Sequence, residues 1–373
     1  MTNLFENYKR SELEIVRGDK NTVYDKDGNA YLDLTSGIGV ANLGYNHPTL
    51  TQALHEQVDK IWHVPNLYES EIQEEVAAKL IGDYDYKAFF CNSGAEANEA
   101  AIKLARIASG KSKIVTFYNG FHGRTFGAMA ATAQEKIQKG FGEMLTGFEY
   151  LEYNAPGFEE VIDENTAAVM LEVVQGEGGV LVADRDWLTS LAVHAKAVGA
   201  LLIIDEVQTG IGRTGSLYAW EQFDIDPDII TIAKGLGNGV PVGAMLGKAA
   251  IAPALSPGTH GTTFGGNKLA LSVATKVLDI VKLPTFSYQT KIKGETLTKK
   301  LEALGLTVRG LGLMIGIEME TPERLAQVFQ KLREQKVLAL TAGTTTLRLL
   351  PSLTITKDEI DHAVDAIKEA ING

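Results

Sequence analysis

Leu201-Leu-Ile-Ile204 is an unbroken apolar run closed by a single acid, Asp205. A strand that is apolar on both faces has to be covered on both, which is the condition of a parallel sheet held between helices. A second run at 228–233, Asp-Ile-Ile-Thr-Ile-Ala, also ends in one charge, Lys234, and is followed by the flexible Gly235-Leu-Gly-Asn-Gly239. In open α/β sheets ligands bind beyond the carboxyl ends of the strands. Two such strands therefore deliver an acid and an amine to one edge. Around them the pattern alternates, with strands predicted at 87–91, 113–117, 167–173, 200–207, 228–233 and 244–248 and helices at 96–108, 187–198 and 268–281. The fold class that follows is α/β, a doubly wound sheet flanked by helices.

The two ends of the chain read differently. Thr22-Val-Tyr-Asp25 and Ala30-Tyr-Leu-Asp-Leu34 flank Lys26-Asp-Gly-Asn29, an Asp-Gly hairpin. A glycine-spaced loop over 36–48 and helical patterns at 49–62 and 69–80 follow it. Beyond 281, a helix at 288–304, a strand region at 308–318, a helix at 322–335, a strand at 346–350 and a helix at 357–371 make a smaller α+β unit. No repeat or flexible linker separates the units. The net charge of −12 argues against non-specific nucleic-acid binding. The single cysteine, Cys91, rules out an intrachain disulfide and a cysteine-based zinc site, and the histidines show no metal-ligand spacing. The start lacks the apolar core of a signal peptide and no run approaches membrane-spanning length, so a cytoplasmic setting is expected.

An acid and an amine on one sheet edge suit pyridoxal phosphate chemistry. A lysine holds that cofactor as a Schiff base, and a carboxylate keeps the pyridine nitrogen protonated so that the ring acts as an electron sink. Read alone, Asp205 is a loop cap and Lys234 a solvated surface lysine, and only the rest of the chain reverses that. Ser93 and Glu96 form a capping box at the start of a helix, and Ser93, Gly94 and Ala95 offer a hydroxyl and free N–H groups to a phosphate. Tyr118-Asn-Gly-Phe-His-Gly-Arg-Thr125 presents Phe121 for stacking and Arg124 for a carboxylate. Glu177, between glycines, calls for a cation, and Arg348, inside the apolar Thr346-Leu-Arg-Leu-Leu350, calls for an acid. Gly210-Ile-Gly-Arg-Thr-Gly215 matches the dinucleotide fingerprint and raises a nicotinamide oxidoreductase as the rival. It sits on a later strand and runs into a poor first helical turn, against the requirements of that motif.

Asn92-Ser-Gly-Ala-Glu-Ala97, Phe121-His-Gly-Arg124, Gln175-Gly-Glu-Gly-Gly179, Ile204-Asp-Glu-Val-Gln208, Ala233-Lys-Gly-Leu-Gly237 and Thr262-Thr-Phe-Gly-Gly-Asn267 together resemble the class III pyridoxal-phosphate aminotransferases, in the family's order and through nearly the whole chain. The resemblance implies fold type I, with a large domain at 59–265 and a small domain built from 1–58 and 266–373. It also implies a homodimer with shared active sites. It makes Lys234 the Schiff-base lysine, Asp205 the pyridine-nitrogen partner, and Ser93, Gly94, Ala95, Phe121, Glu206, Val207 and Gln208 cofactor contacts. Thr263 would reach the phosphate of the neighbouring subunit. Arg124 and Thr262 would bind the amine donor, and Arg348, covered in turn by Glu177, the carboxylate of glutamate or 2-oxoglutarate.

Within the family, the compact length, His63-Val-Pro-Asn-Leu-Tyr68 and Ile38 are most similar to the branch acting on N2-acetylornithine. Donors such as 4-aminobutyrate, ornithine and succinyl-diaminopimelate stay open. The family often has histidine at Tyr45, proline at Val173, serine at Thr262 and proline at Lys268, and none of these departures removes a reacting group.

Overall fold

The apolar runs become the inner strands of a seven-stranded sheet, in a computed structural model that describes residues 3–373. Met1 and Thr2, with which the expected 1–58 segment and the chain start begin, lie outside the described residues. Across the sheet the strands run Tyr86–Cys91, Gly243–Lys248, Ile229–Ile232, Leu201–Asp205, Thr166–Leu171, Lys113–Phe117 and Phe148–Leu151. All are parallel except Gly243–Lys248, which is antiparallel to both neighbours. Six carboxyl ends and the amino end of Gly243–Lys248 thus share one edge.

The apolar runs are covered on both faces. Leu202 and Ile204 enter one core cluster with the helices Glu71–Ile81, Arg185–Ala197 and Lys268–Val281, while Ile203 enters another with Gly94–Ser109. Alternate side chains of one strand go to opposite layers, as the two-residue period of a strand requires. Each such buried side chain contributes about 1.5–3 kcal/mol. Every residue of Thr166–Leu171 and of Ile229–Ile232 is buried, as strands inside the sheet should be.

Among the elements that differ from the sequence expectation are three strand regions of the chain. The edge strand Phe148–Leu151 was not expected, because it is short and mixed in character. The strand predicted over 167–173 ends at Leu171, and the chain then pairs Val174–Gln175 with Leu181–Val182 in a two-stranded ribbon. That ribbon frames the loop carrying Glu177. The strand region at 308–318 is two strands, Val308–Leu311 and Met314–Glu318, turned at Gly312 with φ of 55°.

The chain ends meet. Val337–Leu338 pairs in parallel with Ala30–Asp33, extending the N-terminal hairpin sheet. A separate antiparallel sheet, in the order Val308–Leu311, Met314–Glu318, Thr346–Leu349 and Leu340–Ala342, packs under the helices Pro284–Glu302, Pro322–Glu334 and Lys357–Asn372. Leu32 and Leu34 from the N-terminal segment join the same apolar cluster as Leu297, Val328, Leu347 and Ile367. Among the described residues no helix is long and apolar enough to cross a membrane, and no group of histidine, cysteine and acidic side chains is placed to hold a metal.

Candidate active site

A cavity of about 440 Å³ opens at the shared carboxyl edge of the sheet. Every strand end but that of the edge strand Phe148–Leu151 supplies part of its wall: Asn92 to Ala95, Phe121 to Arg124, Glu172, Asp205 with Val207 and Gln208, Ala233 with Lys234, and Val240 to Val242. Of the residues singled out from sequence, Ser93, Gly94, Ala95, Phe121, Arg124, Asp205, Val207, Gln208 and Lys234 converge here.

The helix Gly94–Ser109 begins at the cavity wall. Ser93 caps it by accepting from the Glu96 N–H at 3.2 Å. The Glu96 carboxylate does not return to Ser93 as a capping box would; it accepts from the backbone and side-chain amides of Asn92 at 2.7 and 2.9 Å. First-turn N–H groups of a helix have no partner within it, and the helix dipole makes this end positive. An anion is therefore favoured at Ser93, Gly94 and Ala95. Gly94 is also a steric requirement, because a Cβ there would stand 2.6 Å from Cγ1 of Val207.

Asp205, only 3% exposed, is held by three donors. Its Oδ2 accepts from Asn98 Nδ2 at 2.8 Å and from His122 Nδ1 at 2.7 Å, and its Oδ1 from the Val207 N–H at 2.9 Å. Burial opposes protonation of His122, but Asp205 beside it outweighs burial and raises its pKa. Glu172 is buried close by, accepting from the Phe121 N–H at 3.0 Å and the Gly176 N–H at 3.4 Å, and burial pushes its pKa up to about 7. Lys234 sits in the left-handed region with φ of 42°, a strained conformation for a side-chain-bearing residue. Burial lowers its pKa, aided by Arg348. A lysine that sheds its proton readily is a usable base.

Arg348, 2% exposed, pairs with Glu177 at 2.6 Å and donates to Oε1 of Gln208 at 3.1 Å. Burial would raise the Glu177 pKa; the guanidinium more than offsets it, and the net shift is downward. The charge inside an apolar strand thus has its acid. At the mouth Arg124 is exposed, 5.6 Å from the centre of the Phe121 ring, and no carboxylate among the described residues pairs with it.

Besides Arg348 and Glu177, three expected residues lie apart from the cavity wall. Thr262 is one bond away: its Oγ1 accepts from Asn92 Nδ2 at 3.3 Å. Thr263 is exposed and lines a neighbouring cavity of about 570 Å³ with Asn66, Phe90 and His260. Glu206 is not brought to the cavity, contrary to the cofactor-contact role expected for it. Its carboxylate faces inward, accepting from Thr209 Oγ1 at 2.6 Å and the Trp220 N–H at 2.9 Å, and burial pushes its pKa up to about 7. Conversely, sequence reasoning did not select Asn98, His122 or Glu172 as site residues. For Glu172 a signal existed: it is a polar residue in an otherwise apolar buried segment, the mark that identified Arg348.

Comparison with known proteins places these residues in a family context. The aminotransferase class III family model matches residues 5–371. The chain is 54% identical to the acetylornithine aminotransferase of Streptococcus mutans over 376 residues, covering 99% of this chain and 98% of that protein. It is 50% identical to the acetylornithine aminotransferase of Bacillus subtilis strain 168, covering 100% and 98%. Among solved structures, the ornithine aminotransferase of Toxoplasma gondii superposes with a TM-score of 0.94 at 30% identity, covering 99% of this chain and 92% of that one.

Proposed function

This chain belongs to the class III aminotransferases, which work with pyridoxal 5'-phosphate, and from that membership we propose that it moves the terminal amino group of N2-acetyl-L-ornithine to 2-oxoglutarate. The products are N-acetyl-L-glutamate 5-semialdehyde and L-glutamate, a step of arginine biosynthesis. The observation that carries the reading is the convergence of Lys234, Asp205 and a free helix N-terminus on one cavity beside a buried Arg348 that pairs with Glu177.

The residues fit the cofactor. Gly94 leaves space that a Cβ would fill against Val207, Phe121 offers a flat ring and Val207 an apolar contact, and the first turn after Ser93 offers N–H groups to a phosphate. Lys234 would hold its aldehyde carbon and Asp205 would face its ring nitrogen. When bound, it supplies an electron sink for the reacting carbon and carries the amino group between two half-reactions.

The chain's own groups do the rest. Lys234, with its pKa lowered, would take the proton from the substrate's amine-bearing carbon and, once protonated, would give it up on the cofactor side rather than return it to that carbon. Asp205, fixed by Asn98, His122 and the Val207 N–H, keeps a proton at the ring nitrogen. Arg124 at the mouth binds the carboxylate of the amine donor, with Thr262 nearby. Ile38, held at φ of 68° and 44% exposed, offers no polar group to a free α-amine, which supports an acylated donor over ornithine. When the second substrate enters, its carboxylate replaces Glu177 on Arg348, so one site serves two unlike acids.

A homodimer completes the reading. The segment around Asn66 is tied to the loop at 262–265 through Asn66 Nδ2, and it exposes Leu67 and Tyr68 beside the exposed Phe264, which supports a partner surface next to Thr263. We place the small domain at 1–58 and 266–373 and the large one at 59–265, supported by the pairing of Val337–Leu338 with Ala30–Asp33. Free metabolites as substrates support a cytoplasmic setting.

The test is the visible spectrum of the purified chain before and after N-acetylornithine, without any keto acid. A yellow band that bleaches is expected. Bleaching only with 4-aminobutyrate, ornithine or succinyl-diaminopimelate would move the donor, and a colourless chain that the cofactor cannot restore would overturn the reading.

A further inference from the structure

The motif Gly210-Ile-Gly-Arg-Thr-Gly215 does not turn its arginine toward solvent; Arg213 is directed wholly into the protein. Arg213 is 0% exposed and is the largest fully buried side chain. Its Nη1 donates to the Leu313 carbonyl at 3.0 Å and the Pro351 carbonyl at 2.5 Å, and its Nη2 to Oδ1 of Asn42 at 2.7 Å. Among the described residues no carboxylate forms an ion pair with it, and burial pushes its pKa down to about 9, which leaves it charged at neutral pH. A buried charge met only by neutral oxygens is costly, so its geometry has to secure something.

Two of the segments that meet at this guanidinium, those of Arg213 itself and Pro351, run directly to groups of the active site, and a third reaches the turn of Lys234 through Asn42. Arg348 lies three residues before Pro351, and Gln208, which accepts from Arg348 at 3.1 Å, lies five before Arg213. Asn42, 1% exposed, donates from Nδ2 to the Ile211 carbonyl at 2.8 Å, and its own carbonyl accepts from the Leu353 N–H at 2.8 Å. The Asn42 amide also presses on the turn of Lys234: a Cβ on Gly235 would stand 2.3 Å from Asn42 Nδ2. The N-terminal segment, the loop after Gln208 and the strand of Arg348 are thereby locked at one polar point, and the turn of Lys234 packs beside it without a hydrogen bond to Asn42 or Arg213.

We propose that Arg213 and Asn42 are positioning residues that fix the register of Arg348 against Lys234, and so set affinity for the dicarboxylic substrate while leaving the amine donor largely untouched. This rests on the reading of Arg348 as the acid-binding arginine. The donor side, at Arg124 and Thr262, hangs from other strands and has no bond to the node. A guanidinium fork holds three acceptors at fixed angles, which an ammonium does not reproduce.

The experiment uses Arg213→Lys, Asn42→Ala and Arg348→Ala in the full chain, with and without cofactor. Calorimetry with glutarate, an unreactive dicarboxylate, gives Kd, and single-turnover bleaching by N-acetylornithine reports the donor half alone. Displacements on the order of 1 Å cost up to about a hundredfold in such sites. A partial shift is expected here, with glutarate binding about tenfold weaker in Arg213→Lys and Asn42→Ala and the donor half-reaction within about twofold of the parent. Adding Asn42→Ala to Arg348→Ala should weaken glutarate no further, because the node acts through Arg348. If Arg213→Lys does not fold, Asn42→Ala decides. A lower melting temperature with glutarate Kd within twofold of the parent would make the node a structural rivet and overturn the proposal. If Arg348→Ala leaves glutarate binding unchanged, the acid-binding reading itself fails, and with it the premise of the node.

Discussion

Replacing Glu177 by glutamine isolates the competition at Arg348. The two side chains are joined by a 2.6 Å charge-assisted hydrogen bond, with the arginine side chain 3% and the glutamate 32% exposed. Glutamine keeps the length and an acceptor oxygen, so the variant loses only the extra strength that charge gives the bond. That difference is about 1–2 kcal/mol for a shielded pair. Solvent reaches a third of the glutamate, which screens the pair and brings the value to about 1 kcal/mol. An incoming carboxylate no longer has to displace an anion. Glutarate and 2-oxoglutarate should therefore bind about fivefold tighter, while the free protein loses about 1 kcal/mol of stability.

The sign with pH also follows. Glu177 has a lowered pKa, so its pairing is present above the ordinary glutamate value of 4.5 and is lost only as pH falls below it toward the folded value. The gap between parent and variant should accordingly be constant from pH 6 to 9. Calorimetric titration with glutarate, alongside denaturant unfolding, measures both quantities. Unchanged or weaker glutarate binding in Glu177→Gln would show that the acid does not compete for Arg348.

Lys234→Ala should lose turnover while remaining folded. Because burial lowers the Lys234 pKa, the free amine costs stability that grows as pH falls below 10.5, so the cofactor-free variant should melt above the parent at pH 7 and the gap should close as pH rises. Glu206 has its pKa raised from 4.5 to about 7, so the folded state binds the extra proton and the parent loses stability as pH rises through that window. The shift corresponds to about 3 kcal/mol; Glu206→Gln should remove that slope from denaturation midpoints, leaving the share carried by Glu172, and an unaltered slope would show that Glu206 is not the titrating group. Gly94→Ala sets a Cβ 2.6 Å from Val207 Cγ1 and should weaken cofactor binding at least about tenfold in a spectral titration, with little change in the fold; retained affinity would show that Val207 has room to retreat.

The sequence by itself determined the sheet and most of the site, because both rest on local patterns. An apolar run such as Leu201-Leu-Ile-Ile204 has to be covered on two faces wherever it lies, and the single charges that end two runs, Asp205 and Lys234, have to emerge at one edge. Ser93 marked a helix start for the same local reason. The edge strand Phe148–Leu151 was not legible, since a short strand of mixed character is fixed by its neighbour rather than by its own residues.

Direction and partnership were decided only by the tertiary structure. Asp205 and Glu206 are adjacent acids at one strand end; alternation sends them to opposite sides, and only the packing of Trp220 and Thr209 decides which side is the protein interior. Asn98 and His122 become site residues because three separate segments bring them to Asp205. The Arg213 guanidinium meets Asn42 across 171 positions of chain and Pro351 across 138. Apolar burial is a property that each segment carries with it, but a buried charge is tolerated only where distant acceptors arrive together, and the folded chain alone supplies that coincidence.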